Sequence, residues 1–187
     1  QLVQRRGSGT FVAPRVEKLE QALSLLTSFT EDMARRGKSV ESSWIARGLH
    51  APAPEEVMAL GLGAGDRVAR LERVRSSDGV PLAIERASLP RDVLPDPMAV
   101  TDSLYAMLQS LGQRPVRAVQ RISAANLDPR DAELLGVGAG VAGLRIERIS
   151  YLPSGKVVEF TRSLYRGDAY DFAVELKLAP DGERKPE

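Results

Sequence analysis

The feature of this sequence that most restricts its fold is a pattern that occurs twice, 75 residues apart. The first copy covers residues 54–65 and ends in Leu-Gly-Leu-Gly-Ala-Gly, and the second covers 129–140 and ends in Leu-Gly-Val-Gly-Ala-Gly. The match continues, because Leu-Glu-Arg-Val at 71–74 corresponds to Ile-Glu-Arg-Ile at 146–149. Each copy predicts a short helix that opens near a proline, a glycine turn, a strand, a hairpin turn and a second strand.

Two copies are too few for a solenoid, so the repeat predicts one α+β domain with a pseudo-twofold relation. Its central sheet is expected to be mixed or mostly antiparallel, with helices packed against it. Apolar spacing predicts a helix over 16–26, and a capping box predicts another over 28–37. Thr101 and Asp102 are predicted to cap a helix that ends before Gly112, and alternation predicts a last strand over 171–178.

The first fifteen residues differ from the rest, since they carry three arginines and no acidic residue. Apolar pairs at 2–3 and 11–12 flank an Arg-Gly-Ser-Gly stretch, which predicts a hairpin with a glycine-rich tip. A lone hairpin is too small to be stable. We therefore expect it to be the end of a module whose main body lies outside this sequence.

Composition excludes several classes of site. The 187 residues contain no cysteine, which excludes disulfide scaffolds, iron–sulfur clusters and thiol catalysis. His50 is the only histidine and the aspartates show no metal-loop spacing, so no metal and no cofactor are predicted. The net charge of +1 argues against a whole-surface nucleic-acid binder but leaves room for a local basic patch. No apolar run approaches the roughly 18 residues of a membrane span, and we expect a cytoplasmic protein.

Three arginines are predicted to lie on inward-facing strand positions. Side chains alternate along a strand, so Arg73 and Arg75 share a face with Leu71, and Arg148 occupies the corresponding face of the second copy. A buried arginine requires a partner. Internal ion pairs with Glu85 or Glu159 would satisfy that requirement, and so would an anionic ligand such as a phosphate.

Two predicted helix starts carry serine, Ser28 and Ser103, and Tyr105 lies close to the second. Free N–H groups at a helix start favour an anion, although capping alone also explains a serine there. Glu159 and Tyr165 belong to a polar strand face, and Glu85 lies in the matching strand of the first copy. Such a face suits a cavity for a hydroxyl-rich ligand, and it suits a solvated sheet surface equally well.

Six short segments, in order, resemble one known family. They are Arg-Arg-Gly-Ser-Gly-Thr-Phe-Val at 5–12, Leu-Thr-Ser-Phe-Thr-Glu-Asp-Met at 26–33, Leu-Glu-Arg-Val-Arg at 71–75, Val-Pro-Leu-Ala-Ile-Glu at 80–85, Ser-Leu-Tyr at 103–105 and Val-Glu-Phe-Thr-Arg-Ser-Leu-Tyr-Arg-Gly-Asp at 158–168. Together they resemble the UTRA effector-binding domain of GntR-superfamily transcription regulators of the HutC type. The first segment resembles the wing of that family's winged helix-turn-helix.

The resemblance implies a chorismate-lyase-like α+β fold, a homodimer, and a small-molecule effector that rearranges DNA-binding heads on operator DNA. The amino-sugar branch of the family, which this sequence resembles most, senses glucosamine-6-phosphate or N-acetylglucosamine-6-phosphate. By resemblance, the phosphate would be held by Ser28, Arg73, Arg75, Ser103 and Tyr105. The sugar would be held by Glu85, Glu159 and Tyr165. Arg166 and Asp168 are expected only to shape the loop after their strand.

The implied organisation has a wing remnant and linker at 1–14, an effector-binding domain at 15–179 and a polar tail at 180–187. Arg5, Arg6 and Gly9 of the wing would contact DNA. The recognition helices that should precede the wing are missing from the sequence, so we expect it to bind operator DNA poorly by itself. The alternatives are another effector within the same family, or an enzyme of the same fold acting on a small anionic metabolite. No nucleophile–base pair supports the enzyme.

Overall fold

The structure is a computed structural model that describes residues 2–4, 10–12, 19–22 and 26–174. Its centre is an antiparallel sheet of six strands in the order β4-β5-β6-β9-β8-β7. These strands are β4 (Glu41–His50), β5 (Val68–Ser77), β6 (Val80–Pro90), β7 (Arg117–Asn126), β8 (Ala142–Tyr151) and β9 (Val157–Arg166). The helices are α1 (Phe29–Arg35), α2 (Pro54–Leu60), α3 (Leu104–Ser110) and α4 (Pro129–Leu134), with a 3₁₀ turn at Pro97–Ala99.

The predicted repeat is confirmed as two halves of one sheet. The first half is β4-α2-β5-β6 and the second is β7-α4-β8-β9, and they meet where β6 pairs with β9. The helix of each half ends at a glycine with positive φ, +66° at Gly61 and +65° at Gly136. In each half the register of the strand pairing also shifts at the equivalent position, after Arg75 in β5 and after Ser150 in β8. The α+β class follows directly from the duplicated pattern.

The sheet has two covered faces. Helices α2 and α4 pack against one face, where Val68 and Phe160 meet Leu60, and Ile84 and Leu164 meet Leu135. Helix α3 packs against the other face through Leu104 and Leu108, which contact a cluster built on Ala69, Leu71 and Leu89. Helix α1 joins this second face through Phe29 and Met33. The predicted inward arginines therefore lie on the α1 and α3 side.

Ion pairs also join the halves on the α2 and α4 side. Arg86 and Arg162 lie directly opposite each other where β6 pairs with β9. Arg86 of the first half donates to Asp131 of α4 at 2.7 Å, and Arg162 of the second half pairs with Glu55 of α2. Each central arginine is thus neutralised by a helix from the other half.

The helix predicted over 16–26 is wrong where the structure describes it. Leu19–Ala22 forms strand β3, which pairs in parallel with β10 (Tyr170–Ala173). Pairing with a strand from the far end of the sequence outweighs the local helical spacing. The terminal strand predicted over 171–178 is present only as β10, since Val174 lies outside it and 175–178 fall outside the described residues.

Two further predictions concern element ends. Ser103, rather than Thr101 or Asp102, is the N-cap of α3, because its hydroxyl accepts the N–H of Ala106 at 3.2 Å. The hairpin at the start is confirmed, since β1 (Leu2–Gln4) pairs antiparallel with β2 (Thr10–Val12). Within the described ranges, no helix has the length and apolar character needed to cross a bilayer.

Candidate functional site

A polar pocket lies on the α1 and α3 side of the sheet, where the starts of both helices meet strands from both halves. Its volume is about 40 Å³. Its walls are formed by Thr27, Ser28, Phe29, Thr30, Arg73, Arg75, Glu85, Leu104, Tyr105, Ile146, Arg148, Glu159, Thr161, Ser163 and Tyr165. The polar face predicted for β9 therefore faces a cavity and not solvent.

Arg73 is neutralised inside the protein. It lies opposite Glu85 on the next strand, and its Nε and Nη2 donate to Glu85 Oε1 at 2.9 and 2.5 Å. Burial acts to raise the pKa of Glu85, but the guanidiniums of Arg73 and Arg75 outweigh it and lower that pKa overall. The ion-pair alternative is thus correct for this arginine. Its Nη1 also donates to the Asp102 carbonyl oxygen at 2.8 Å.

Arg75 has no such partner. It is 1% exposed, and its guanidinium donates only to neutral oxygens: Ser42 Oγ and Thr30 Oγ1, each at 2.6 Å, and the Asp102 carbonyl at 3.0 Å. Among the residues that the structure describes, its buried Nε has no hydrogen-bond partner and no carboxylate forms an ion pair with it. Burial lowers the pKa of Arg75 to about 10, so the group stays charged at neutral pH.

Arg148 is the counterpart of Arg73 in the second half. Thr161 lies opposite it on the neighbouring strand, where Arg73 has Glu85. Its Nε and Nη2 donate to Gln120 Oε1 at 2.9 and 2.6 Å, and its Nη1 donates to the Thr27 carbonyl at 3.3 Å. The second half therefore presents a guanidinium whose hydrogen-bond partners are all neutral.

Glu159 supplies the second carboxyl group of the pocket. Its Oε2 accepts hydrogen bonds from Ser150 Oγ at 2.7 Å and Tyr105 Oη at 3.1 Å. Burial is the main cause of a raised pKa for Glu159, and it also raises the pKa of Tyr105. Burial also raises the pKa of Tyr165, another pocket residue of β9, to about 12, so its hydroxyl stays protonated.

The electrostatics of the pocket favour an anion. Three guanidiniums and two carboxyl groups line it, and the pKa of one carboxyl, Glu159, is raised. A buried excess of positive charge is costly unless an anion compensates it. The described part of the chain contains no cluster of three or more acidic or histidine side chains able to hold a metal ion.

Seven of the eight residues predicted to hold a ligand line this pocket. Ser28 does so while its hydroxyl caps α1 by accepting the N–H of Glu31 at 3.1 Å. Ser103 is the exception. It caps α3 and directly precedes Leu104, which does line the pocket. Thr27 and Thr30 were missed, although they lie beside Ser28 in the capping segment.

Two other predictions have different outcomes. Arg166 and Asp168 form a two-contact ion pair, Nε to Oδ1 at 3.0 Å and Nη2 to Oδ2 at 2.8 Å, which closes the loop after β9 as expected. Arg5, Arg6 and Gly9 lie outside the described residues.

Comparison with known proteins identifies a family. Residues 35–171 match the UTRA domain. The chain is 34% identical over 174 residues to the HTH-type transcriptional repressor NagR of Bacillus subtilis, covering 91% of the chain and 71% of NagR. It is 37% identical over 180 residues to the HTH-type transcriptional repressor PhnF of Mycolicibacterium smegmatis, covering 93% of the chain and 71% of PhnF.

Solved structures agree with this match. The crystal structure of the PhnF effector domain from Mycobacterium smegmatis superposes with a TM-score of 0.79 at 33% identity, covering 85% of this chain and 99% of that one. The crystal structure of PhnF itself also gives a TM-score of 0.79, and covers 94% of this chain and 78% of that one.

Proposed function

The chain belongs to the UTRA domain family of GntR-type transcription regulators, and from this premise we propose that it senses a sugar phosphate. It is an effector-binding domain and not an enzyme, since its relatives are named transcriptional repressors and regulators. The proposed effectors are glucosamine-6-phosphate and N-acetylglucosamine-6-phosphate. The relative named NagR supports the choice of an amino sugar.

The observation that carries the proposal is Arg75. Its guanidinium is fully buried at the wall of a pocket, lacks a carboxylate partner and leaves Nε unpaired among the described residues. A buried cation of this kind is normally paired, and a phosphate monoester would supply the missing charge through short, charge-assisted hydrogen bonds. We propose that Arg75 and Arg73 bind the phosphate together with Ser28 and Tyr105.

The sugar would lie where the two halves of the sheet meet. Glu159 and Tyr165 come from β9 of the second half, and Glu85 comes from β6 of the first. Carboxylate and hydroxyl groups of this kind accept and donate hydrogen bonds to sugar hydroxyls. This assignment places the phosphate at the β5 arginines and the sugar along β6 and β9.

A direct test is calorimetric titration with N-acetylglucosamine-6-phosphate, with unphosphorylated N-acetylglucosamine as the matched ligand. We expect binding of the phosphate ester alone, and a ligand at 100 times its Kd should add about 2.7 kcal/mol to the free energy of unfolding. Arg75→Met should abolish the difference between the two sugars. Arg145→Gln is the control, because Arg145 is exposed on the opposite face of β8. Equal binding of both sugars would contradict the phosphate site.

We further propose that the regulator is a homodimer that contacts itself through strand β7. This edge strand has ten residues in unbroken register with β8 and, among the described residues, no strand on its other side. Val119 and Ile122 are 49% and 36% exposed, and a bare edge strand requires cover. Sedimentation should show a dimer that Val119→Asp dissociates, while Met58→Asp, at a side chain of α2 that is 86% exposed, leaves it intact. A wild-type monomer at micromolar concentration would contradict the proposal.

The proposed operator contact is a wing formed by the hairpin β1–β2, with Arg5, Arg6 and Gly9 at the DNA. Three such contacts give only weak, salt-sensitive attraction. We expect residues 1–187 to shift operator DNA poorly in a gel at physiological salt. Tight, sequence-selective binding would place the DNA reader within this sequence instead.

A further inference from the structure

One backbone oxygen stands where an anion would bind. The carbonyl oxygen of Asp102 accepts from Nη1 of Arg73 at 2.8 Å and from Nη1 of Arg75 at 3.0 Å. Two guanidiniums that donate to one oxygen are an arrangement that also binds phosphate or carboxylate oxygens. A neutral carbonyl supplies the hydrogen-bond geometry but not the charge.

The pocket around this oxygen is too small for a sugar phosphate. Its 40 Å³ holds a few water molecules, whereas ligand pockets are roughly 300–1,000 Å³. The strands that form its floor, β5, β6, β8 and β9, are each hydrogen-bonded to a neighbouring strand on both sides. Space for a ligand must therefore come from movement of the segments that cover the floor. One of these segments carries the Asp102 carbonyl oxygen into the pocket.

That segment consists of residues 101–103. Thr101 and Asp102 have exposed side chains, and the segment runs between two buried anchors, Val100 and Leu104. We propose that residues 101–103 are an internal competitor, whose Asp102 carbonyl oxygen occupies the anion position on Arg73 and Arg75 until the phosphate displaces it. The inference rests on the proposed function and adds that ligand affinity is set partly by how firmly this segment is held.

Arg47 on strand β4 holds the residues immediately before the segment from outside the pocket. Its Nη1 donates to the carbonyl oxygens of Val100 at 2.8 Å and Met98 at 3.3 Å. The guanidinium also stacks on Trp44, 4.6 Å from the ring centroid, and Arg73 stacks on the same ring at 5.0 Å. Arg47 thus acts as a positioning residue, because it does not line the pocket but fixes what competes with the ligand.

The first test measures N-acetylglucosamine-6-phosphate affinity by calorimetry in Arg47→Gln. By electrostatics alone, removing a cation near the site should weaken the binding of an anionic ligand. Releasing the competing carbonyl should instead tighten the binding, by about two- to tenfold. Arg67→Gln is the matched control, because Arg67 also donates to a backbone carbonyl, but that of Leu49 at 2.9 Å and not those of Met98 and Val100. Its affinity should stay level or fall.

The second test acts on the segment itself. Asp102→Gly makes the backbone more costly to hold in one conformation and should tighten binding by about two- to fivefold relative to Asp102→Asn. The asparagine variant removes the same charge and keeps the side chain, so the difference isolates the backbone. Because competition concerns the anion, inorganic phosphate should show the same order of affinities.

The outcomes separate the two proposals. Tighter binding in Arg47→Gln and Asp102→Gly, against their controls, supports the internal competitor. Unchanged or weaker binding in both variants overturns it and leaves the sugar-phosphate site in place. If the wild-type protein binds neither probe, the proposed function fails and this inference fails with it.

Discussion

The two halves of the sheet are built alike but differ at the positions that face the pocket. In the first half Arg73 lies opposite Glu85, and Arg75 lies opposite Ala83. In the second half, at the same distances from the ladder irregularity, Arg148 lies opposite Thr161, and Ser150 lies opposite Glu159. Along the pocket-facing pairs, the carboxylate has moved to the next pair, from the partner of the first arginine to the partner of a serine.

This difference separates an arginine of the pocket that already has a carboxylate partner from two that have none among the described residues. Glu85 neutralises Arg73, so that pair stabilises the fold. Nothing equivalent neutralises Arg75 or Arg148 among the described residues, and both line the pocket. A duplicated scaffold thus yields an asymmetric site, because each half keeps the backbone and changes one cross-strand pair.

The largest expected effect is the difference in stability between a variant that lacks Arg73 and one that lacks Arg148. Arg73→Ala leaves Glu85 buried without its partner and should lower the free energy of unfolding by about 3–5 kcal/mol. Arg148→Ala removes hydrogen bonds only to neutral oxygens and should cost about 1–2 kcal/mol. Urea denaturation measures both. Similar losses in the two variants would show that the halves do not differ as described.

The second comparison concerns ligand affinity in variants of Arg75 and Ser150, which occupy equivalent positions in the two halves. Arg75→Met should weaken N-acetylglucosamine-6-phosphate binding by about ten- to a hundredfold, since it removes charge-assisted hydrogen bonds to the phosphate. Ser150→Ala removes one neutral donor to Glu159 and should cost less than about tenfold. Calorimetry on variants whose unfolding midpoints have been checked gives the answer. A greater loss in Ser150→Ala would reverse the assignment of phosphate and sugar ends.

The two carboxyl groups should respond oppositely to pH. The lowered pKa of Glu85 means that its carboxylate contributes stability above the unfolded pKa of about 4.5, which is lost as the pH falls. The raised pKa of Glu159 has the opposite sign, so its contribution is present in acid and lost as the pH rises. At pH 7, Glu85→Gln should therefore destabilise the fold and Glu159→Gln should stabilise it. Thermal unfolding from about pH 3 to pH 8, a range that extends below the unfolded pKa of 4.5, checks the sign of each.

The smallest effect concerns the helix starts of the two halves. Asp128 caps α4 by accepting the N–H of Asp131 at 2.8 Å, whereas Ala53 at the start of α2 has no side-chain acceptor. Asp128→Ala should cost about 1 kcal/mol, and Ala53→Ser should add about 0.5–1 kcal/mol. Chemical denaturation resolves both changes. No gain from the serine would mean that the Glu56 N–H, which donates to the Ala53 carbonyl oxygen at 2.9 Å, requires no further acceptor.

The sequence could predict those features that depend on residues close together in the chain. Strand alternation placed Arg73 and Arg75 on the inward face because it depends only on neighbouring residues. The pairing of β3 with β10 was missed because its partners lie at opposite ends of the sequence. The role of Asp102 was also missed, since it rests on a backbone carbonyl, and every residue type carries one.

The pairing of β6 with β9 also affects how the protein reaches its fold. The strands within each half form between near neighbours in the sequence, but this pairing joins Ala83 to Tyr165 and Ser88 to Phe160. Closing so long a loop is entropically costly, and proteins dominated by such distant pairings fold in milliseconds to seconds. We therefore expect the joining of the halves to limit the folding rate. The two ion pairs that join the halves, Arg86–Asp131 and Arg162–Glu55, would form only after that step.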